Sequence, residues 1–335
     1  MNKDKEVLLK LRGVKTYFPI KKGVFKKTVG YIKAVDDIDI DIYKGETIAL
    51  VGESGCGKTT LGRYILRLLE VAETEGEIIY SFDGVEKDLR KLSNKEMMKA
   101  RKRLQIIFQD PYSTLNPSLT IFSSLEDPLK KFGVKSKEER RKIIGDLLEA
   151  VNLGREYMNR YPHEFSGGER QRIGIARALS VGPELIICDE SVSSLDVSIQ
   201  AQVLKLLKEL KEEKNLTYLF ISHNLSVVEY ISDRIAVMYL GKIVELADTE
   251  KLYTETLHPY TKALISAIPI ADLDKRLKRI VLKGDVPNPA NPPSGCPFHP
   301  RCEECIDICK KEVPRLKKYW VKGKEHFVAC HLIKE

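Results

Sequence analysis

No run of apolar residues in this chain approaches the ~20 needed to cross a bilayer as a helix. The opening MNKDKEVLL is too charged to read as a cleavable export signal. There is no internal repeat and no low-complexity tract. Together these absences lead to the expectation of a cytoplasmic protein that meets a membrane only through partners. A basic groove interleaved with aromatic residues, the mark of many nucleic-acid binders, is also missing. The net charge of +8, from 56 basic and 48 acidic residues, is spread thinly. Its densest clusters, KKGVFKK (21–27) and MMKARKR (97–103), read as solvated faces. Nucleic acid is therefore not expected as a partner, although attraction to an anionic lipid surface fits equally well. What remains is a soluble composition, 43% hydrophobic and 31% charged, in 335 residues. That length allows two or three domains or subdomains and a sizeable core.

Against this background one segment stands out, GESGCGKTT at 52–60. It fits G-x-x-x-x-G-K-[ST] at every fixed position. The apolar run ETIALV (46–51) before it has the length of a buried strand. Behind it Leu61, Ile65, Leu68 and Leu69 recur at helical spacing. Gly52, Gly55 and Gly57 allow sharp turns that aim backbone N–H groups at phosphate oxygens near a helix N-terminus. Lys58 is expected to reach the β- and γ-phosphates, and the Thr59 hydroxyl to ligate Mg²⁺. Ser54, Cys56 and Thr60 complete the loop lining.

A second strand, LIICDE (185–190), delivers two carboxylates at its carboxyl end, where open parallel sheets bind ligands. Asp189 suits the hydration shell of Mg²⁺, and Glu190 suits polarising or deprotonating an attacking water. Before it lies FSGGERQR (165–172). Ser166 and Glu169 fit S-x-x-E, a capping box that would fold Glu169 back onto the Ser166 amide. The helix would begin with two glycines and present a bare, positively polarised end.

In this order and spacing, the segments resemble the ATP-binding subunit of an ABC transporter, over roughly residues 7–270. The resemblance implies an α/β P-loop NTPase of the ABC type, with an antiparallel β subdomain and an inserted helical subdomain. Gln109 in IIFQDP would be the Q-loop glutamine, touching Mg²⁺. Ser166, Gly167, Gly168 and Glu169 match the LSGGQ signature, with Phe165 for Leu and Glu169 for Gln. Ser193, Ser194, Leu195 and Asp196 match the D-loop. His223 matches the switch histidine, and Phe18, with Tyr17 as a rival, would stack on adenine. Ser191 departs from the usual Pro after the catalytic Glu. Two such chains, or this chain and a sister, would close head-to-tail on two ATP molecules.

Residues 7–18 and 31–42 are expected to be strands, with Ile38, Ile40 and Ile42 alternating against Asp37, Asp39 and Asp41. Residues 19–30 read as a basic loop and 76–82 as a further strand. Residues 110–165 are largely helical by pattern, with Ile143, Ile144, Leu147, Leu148 and Val151 on one face. Another amphipathic helix is expected at 198–212, and 234–246 reads as a hairpin turning at Gly241. The nucleotide-binding domain is expected over 1–255 and an extension over 256–335. Six of the chain's fifteen prolines fall between Pro287 and Pro300, which excludes continuous helix or central strand there.

Five of the seven cysteines crowd into this extension, at 296, 302, 305, 309 and 330. Disulfides are not expected in a cytosolic ATPase, so a metal clip is the better reading of a tail with too few apolar residues for its own core. Cys302 and Cys305, read alone, favour zinc. The whole arrangement, with HPYTKALISAIP at 258–269, resembles the C-terminal extension of dipeptide and oligopeptide importer ATPases, some carrying a [4Fe–4S] cluster. By position the ligands would be Cys296, Cys302, Cys309 and Cys330, with zinc as the alternative and Cys305 an extra thiol. Cys56 and Cys188 read as buried fillers. The implied partners are two membrane-spanning permease subunits and a second ATP-binding subunit at the cytoplasmic face, with an extracytoplasmic peptide-binding protein acting indirectly. A soluble ABC ATPase acting on nucleic acid or the ribosome, or an importer of nickel or another small solute, are the alternatives.

Overall fold

The computed structural model describes residues 6–23, 25–69, 73–110, 114–268 and 279–333. Two compact units emerge, one built from residues 1–43, 47–91 and 222–335, the other from 44–46 and 92–221. Parts of several expected segments (residues 1–5 of the opening stretch, Val24 in 21–27, 111–113 in the helical insert and Pro269 in 258–269) lie outside the described residues.

The first unit opens with β1 (Val7–Lys22) and β2 (Lys27–Tyr43), followed by β3 (Thr47–Val51), α1 (Lys58–Ile65), β4 (Glu73–Phe82) and β5 (Val85–Asp88). β2, β1, β4 and β5 form an antiparallel sheet in that order. The Ile/Asp alternation works as expected, with Ile38, Ile40 and Ile42 buried. The basic stretch 19–30 is not a loop. Pro19 pairs with Tyr31, Ile20 with Gly30 and Lys22 with Lys27, so the strands run on into a long hairpin. Its solvated lysines hid this, since pairing comes from the partner strand's backbone and needs no apolar pattern. α1 is shorter than its spacing implied. It stops at Ile65, Arg67 turns left-handed at φ 51°, and Leu68 is exposed.

The second unit contains α2 (Asn94–Arg103), β6 (Leu104–Ile107), α3 (Ile121–Lys131), α4 (Lys137–Ala150), α5 (Gly167–Leu179), β7 (Leu185–Asp189), α6 (Val197–Lys214) and β8 (Thr217–Ile221). β6, β7 and β8 are parallel neighbours. β7 and β8 are buried along their whole length, which is why they read as unbroken apolar runs. α4 buries Ile144 and Leu148, and α6 buries Val203, Leu206, Leu207 and Leu210.

The chain then returns to the first unit as α7 (Leu225–Ile231), β9 (Arg234–Tyr239), β10 (Lys242–Asp248), α8 (Thr249–Thr254) and α9 (Pro259–Ser266), ending in β11 (Lys317–Val321) and β12 (Lys324–Val328). β3 pairs parallel with β9, and the β9–β10 hairpin turns at Gly241. β12 adds antiparallel to β10, with Glu245 opposite Val328, and β11 covers β12. The proline-rich stretch is irregular, as required.

The tail is therefore no separate bead on a tether. Phe298, 2% exposed, packs with ring centroids 5.3 Å from Tyr239 and 5.4 Å from Tyr260. Glu245, fully buried, accepts from the N–H groups of Leu257 and His258, and His326 Nε2 lies 2.7 Å from its carboxylate. The extension borrows the core of the first unit instead of making its own.

Candidate functional site

In the first unit β3 ends at Val51, and the chain turns through 52–57 into α1. Gly57 is the N-cap, at φ 106°, with no side-chain cap. A Cβ there would lie 1.9 Å from the Ala34 carbonyl oxygen, so no other residue fits. The N–H groups of the first helical turn, carried by Lys58, Thr59 and Thr60, are among the donors that an α-helix cannot satisfy internally. Lys58 is buried, and its Nζ donates to the carbonyls of Gly52 at 2.8 Å and Glu53 at 3.0 Å. Ser54 and Gly55 are exposed on the loop crest. Cys56 is buried with its thiol pushed up, first by burial, and its Sγ is 3.7 Å from Lys58 Nζ. This thiol and Cys188, pushed up to about 12 by complete burial, are both buried, as expected of fillers.

Tyr17 and Phe18 lie on β1 in the same unit, both half-buried. The Tyr17 hydroxyl donates to Asp36 at 2.6 Å. His223 is exposed and follows Ser222. Asn224, next in sequence, caps α7 by accepting from Ser226 and Val227.

The second unit gathers the carboxylate side. Ile107 pairs with Cys188 across parallel β6 and β7. Gln109, two residues past β6, and Asp189 with Glu190, at the end of β7, thus emerge from neighbouring strands at the same end. Asp189 is 1% exposed. A buried carboxylate at the carboxyl end of a parallel strand is chemically suited to the shell of a divalent cation. Glu190 sits left-handed at φ 48°, a conformation costing roughly 1–3 kcal/mol for a residue with a side chain. Its N–H donates to the Ile221 carbonyl, and its own carbonyl accepts from Ser193 N–H and Oγ. This strain was not readable from sequence, because glutamate has no left-handed preference. Ser191 is buried beside it, and Asp196 is the N-cap of α6.

The capping box is present as expected. Glu169 accepts from Ser166 N–H at 2.9 Å and Ser166 Oγ at 2.7 Å, while Ser166 Oγ accepts from Glu169 N–H. These bonds hold the Glu169 carboxyl below its usual range. A Cβ on Gly168 would lie 2.4 Å from Ile199, so α5 and α6 approach through that glycine. Gly167 is the first residue of α5.

Cys296 and Cys309 are buried and Cys302, Cys305 and Cys330 half-buried. Burial, and to a smaller degree the neighbouring thiols, push Cys296 and Cys302 up to about 11. Yet among the described residues no group of three or more His, Cys, Asp or Glu side chains is arranged to hold a metal ion. The tail is fastened in this structure by other contacts. Phe298, β12 and Glu245 supply them, together with the Cys296 N–H bond to the Cys309 carbonyl at 2.7 Å.

Comparison with known proteins decides the family. The ABC transporter family matches residues 35–193. The oligopeptide transport ATP-binding protein AppF of Bacillus subtilis is 52% identical over 332 residues, covering 98% of each chain. The chain belongs to the ABC transporter family. Its fold is the ABC-type P-loop NTPase fold, with an antiparallel and a mixed sheet, and its enzymatic class is that of an ABC ATPase. The putative oligopeptide transport ATP-binding protein YkfD, also of B. subtilis, is 50% identical, covering 97% of this chain and 95% of its own. A second family, described as the oligopeptide/dipeptide transporter C-terminal region, matches residues 244–309. Among solved structures, the ATP-binding cassette MJ0796 in a dimeric state bound to ADP and Pi has a TM-score of 0.61 at 29% identity, covering 72% of this chain and 99% of that one. Clostridium perfringens cbiO1, part of the cbiONQ transporter complex, has a TM-score of 0.62 at 25% identity, covering 75% and 92%. Among the described residues no helix is long and apolar enough to cross a membrane.

Proposed function

We propose that this ABC ATPase powers the import of dipeptides or oligopeptides through membrane-embedded permease subunits. One observation carries the reading. A complete phosphate loop shares a chain with a C-terminal region that matches the oligopeptide/dipeptide transporter family over residues 244–309. That match favours peptide import over a soluble ABC ATPase acting on nucleic acid or the ribosome. It also favours peptides over nickel or another small solute.

In this reading residues 1–255 form the nucleotide-binding domain, with the helical insert near 110–165, and 256–335 the extension. Lys58 holds the β- and γ-phosphates with the loop amides, Phe18 stacks on adenine, and Glu190 orients the attacking water, with His223 sensing the γ-phosphate. Thr59, Gln109 and Asp189 would hold Mg²⁺, which when bound neutralises charge on the phosphates. Ser166 and Gly168 of a second ATP-binding subunit, and Asp196 at the seam, close the site. Closure of two such subunits would drive the permease pair, a ligand-driven population shift. The working place would be the cytoplasmic face of the membrane, with a peptide-binding protein on the far side.

The cysteine set belongs here too. Four thiols at 296, 302, 309 and 330 supply donor chemistry for a [4Fe–4S] cluster, with zinc the alternative, although their present spacing does not form a ligating group. Iron, sulfide and zinc analysis of anaerobically purified protein separates the two.

The test of the transport reading is uptake of labelled peptides in cells carrying the parental gene or a deletion of it. Peptide uptake should collapse in the deletion while nickel and sugar uptake persist. Normal peptide uptake in the deletion would overturn the assignment.

A further inference from the structure

Glu53, the second residue of the phosphate loop, is held at three points. Its N–H donates to the Tyr260 hydroxyl at 2.9 Å. Its carbonyl accepts from Lys58 Nζ. Its carboxylate receives a two-pronged bond from Arg301, with Nη1 2.7 Å from Oε2 and Nη2 3.1 Å from Oε1. Two of the three holders come from the C-terminal region, far along the chain. The Arg301 side chain is 7% exposed and that of Glu53 29%, so the pair is largely removed from water. Both holders are rooted in the core. Tyr260 is fully buried on α9, whose N-cap His258 accepts from the Tyr260 N–H. Arg301 closes the short 3-10 turn His299–Arg301 directly after Phe298, the ring locked against Tyr239 and Tyr260.

The loop exists to collect negative charge, yet Glu53 places a carboxylate on it. Left alone, that carboxylate would oppose a triphosphate and compete for Lys58. A guanidinium fork cancels the charge and fixes its direction, which a lysine's single-point ammonium does less well. We propose that Arg301 and Tyr260 are positioning residues for ATP. They hold Glu53 neutralised and turned aside, so that the loop amides and Lys58 face the phosphates. The extension thereby supports the nucleotide site from within its own chain. This rests on the ATPase reading given above.

The experiment uses the full chain and four forms: parental, Arg301→Met, Glu53→Gln, and the double variant. Arg301→Met should raise the KM for ATP roughly tenfold, the effect of stranding a part-buried carboxylate beside an anion site, with kcat changed by less than about twofold. Glu53→Gln alone should give a KM at or below the parental value. The double variant should return KM to within about threefold of parental while its melting temperature stays below the parental value, because the contact is still missing. That split is the decisive reading, because the double variant still lacks the contact. If the pair were only structural, its KM would stay as high as in Arg301→Met. An unmoved KM in Arg301→Met, or a double variant no better than the single, overturns the proposal. Equilibrium binding of a fluorescent ATP analogue repeats the comparison without turnover, so failed hydrolysis in the parental protein would count against the ATPase reading alone. Should Arg301→Met not fold, the double variant against Glu53→Gln decides, with equal KM expected and a tenfold gap contradicting.

Discussion

Around Ser166 a helix start is completed by a residue three positions away. Around Lys58 the loop leading into the helix is held by residues 207 and 248 positions from Glu53. Both segments present a glycine-rich helix N-terminus, and both are assigned to the same nucleotide chemistry. The signature end is self-sufficient, since Ser166 and Glu169 satisfy one another's amides and hydroxyl without help. The phosphate loop cannot be so. Its cap is a glycine without a side-chain acceptor, its lysine is buried on backbone carbonyls, and its carboxylate is neutralised from the far end of the sequence. A helix end proposed to meet nucleotide on a partner can be finished locally and left exposed. A loop that must wrap a triphosphate is held by the fold around it.

The largest effect that could break this contrast is at Gly57. Gly57→Ala would force a Cβ into the Ala34 carbonyl at a left-handed backbone position. It should cost on the order of 3 kcal/mol or more and remove detectable ATP binding. Gly168→Ala meets only the Ile199 side chain and should cost clearly less. Denaturant melts and nucleotide titrations of the two variants side by side make the comparison. Equal losses would erase the distinction between a loop built into the fold and a locally finished one.

A similar effect, tuned by pH, concerns the tail that grips the loop. Burial pulls His258 down to about 4, whereas the unfolded chain has it near 6.5. The folded state keeps the ring neutral and the unfolded state binds the proton first. Its contribution is thus complete above pH 6.5 and is lost as pH falls toward 4, about 3 kcal/mol in all. Unfolding by urea at pH 7.5 and 4.5 should show that loss. His258→Asn, which retains an N-cap acceptor, should flatten the profile. An unchanged slope in the variant would assign the acid sensitivity elsewhere.

Smallest is the signature cap. Ser166→Ala should cost about 1 kcal/mol in nucleotide-free protein, measured by thermal melting, because only a local bond pair is lost. A loss as large as that of Gly57→Ala would mean that the segment is tied to the fold after all.

The same contrast explains what could be read from the chain. The phosphate loop, β7 with its two carboxylates, the capping box and the β9–β10 hairpin were legible because each is set by neighbours a few residues apart. The extension of β1 and β2 through 19–30 was not, since polar strands pair by backbone alone. The early end of α1 at Ile65 depends on Arg67 turning left-handed, for which arginine gives no signal. Glu190's strained backbone and the Arg301–Glu53 pair require the finished fold. The cysteine spacing points to a metal clip, but the docking of the tail through Phe298, Glu245 and a shared sheet is nothing that a count of thiols reveals. A tail with few apolar residues can be stable if it docks on a core already formed.

The most direct measurement is the steady-state hydrolysis rate of Glu190→Gln beside its affinity for MgATP. The residue at the end of β7 is expected to act on water and not on binding. The variant should therefore keep near-parental affinity, accumulate nucleotide-bound dimers, and turn over at least roughly a hundredfold more slowly. Parental turnover in that variant would contradict the account.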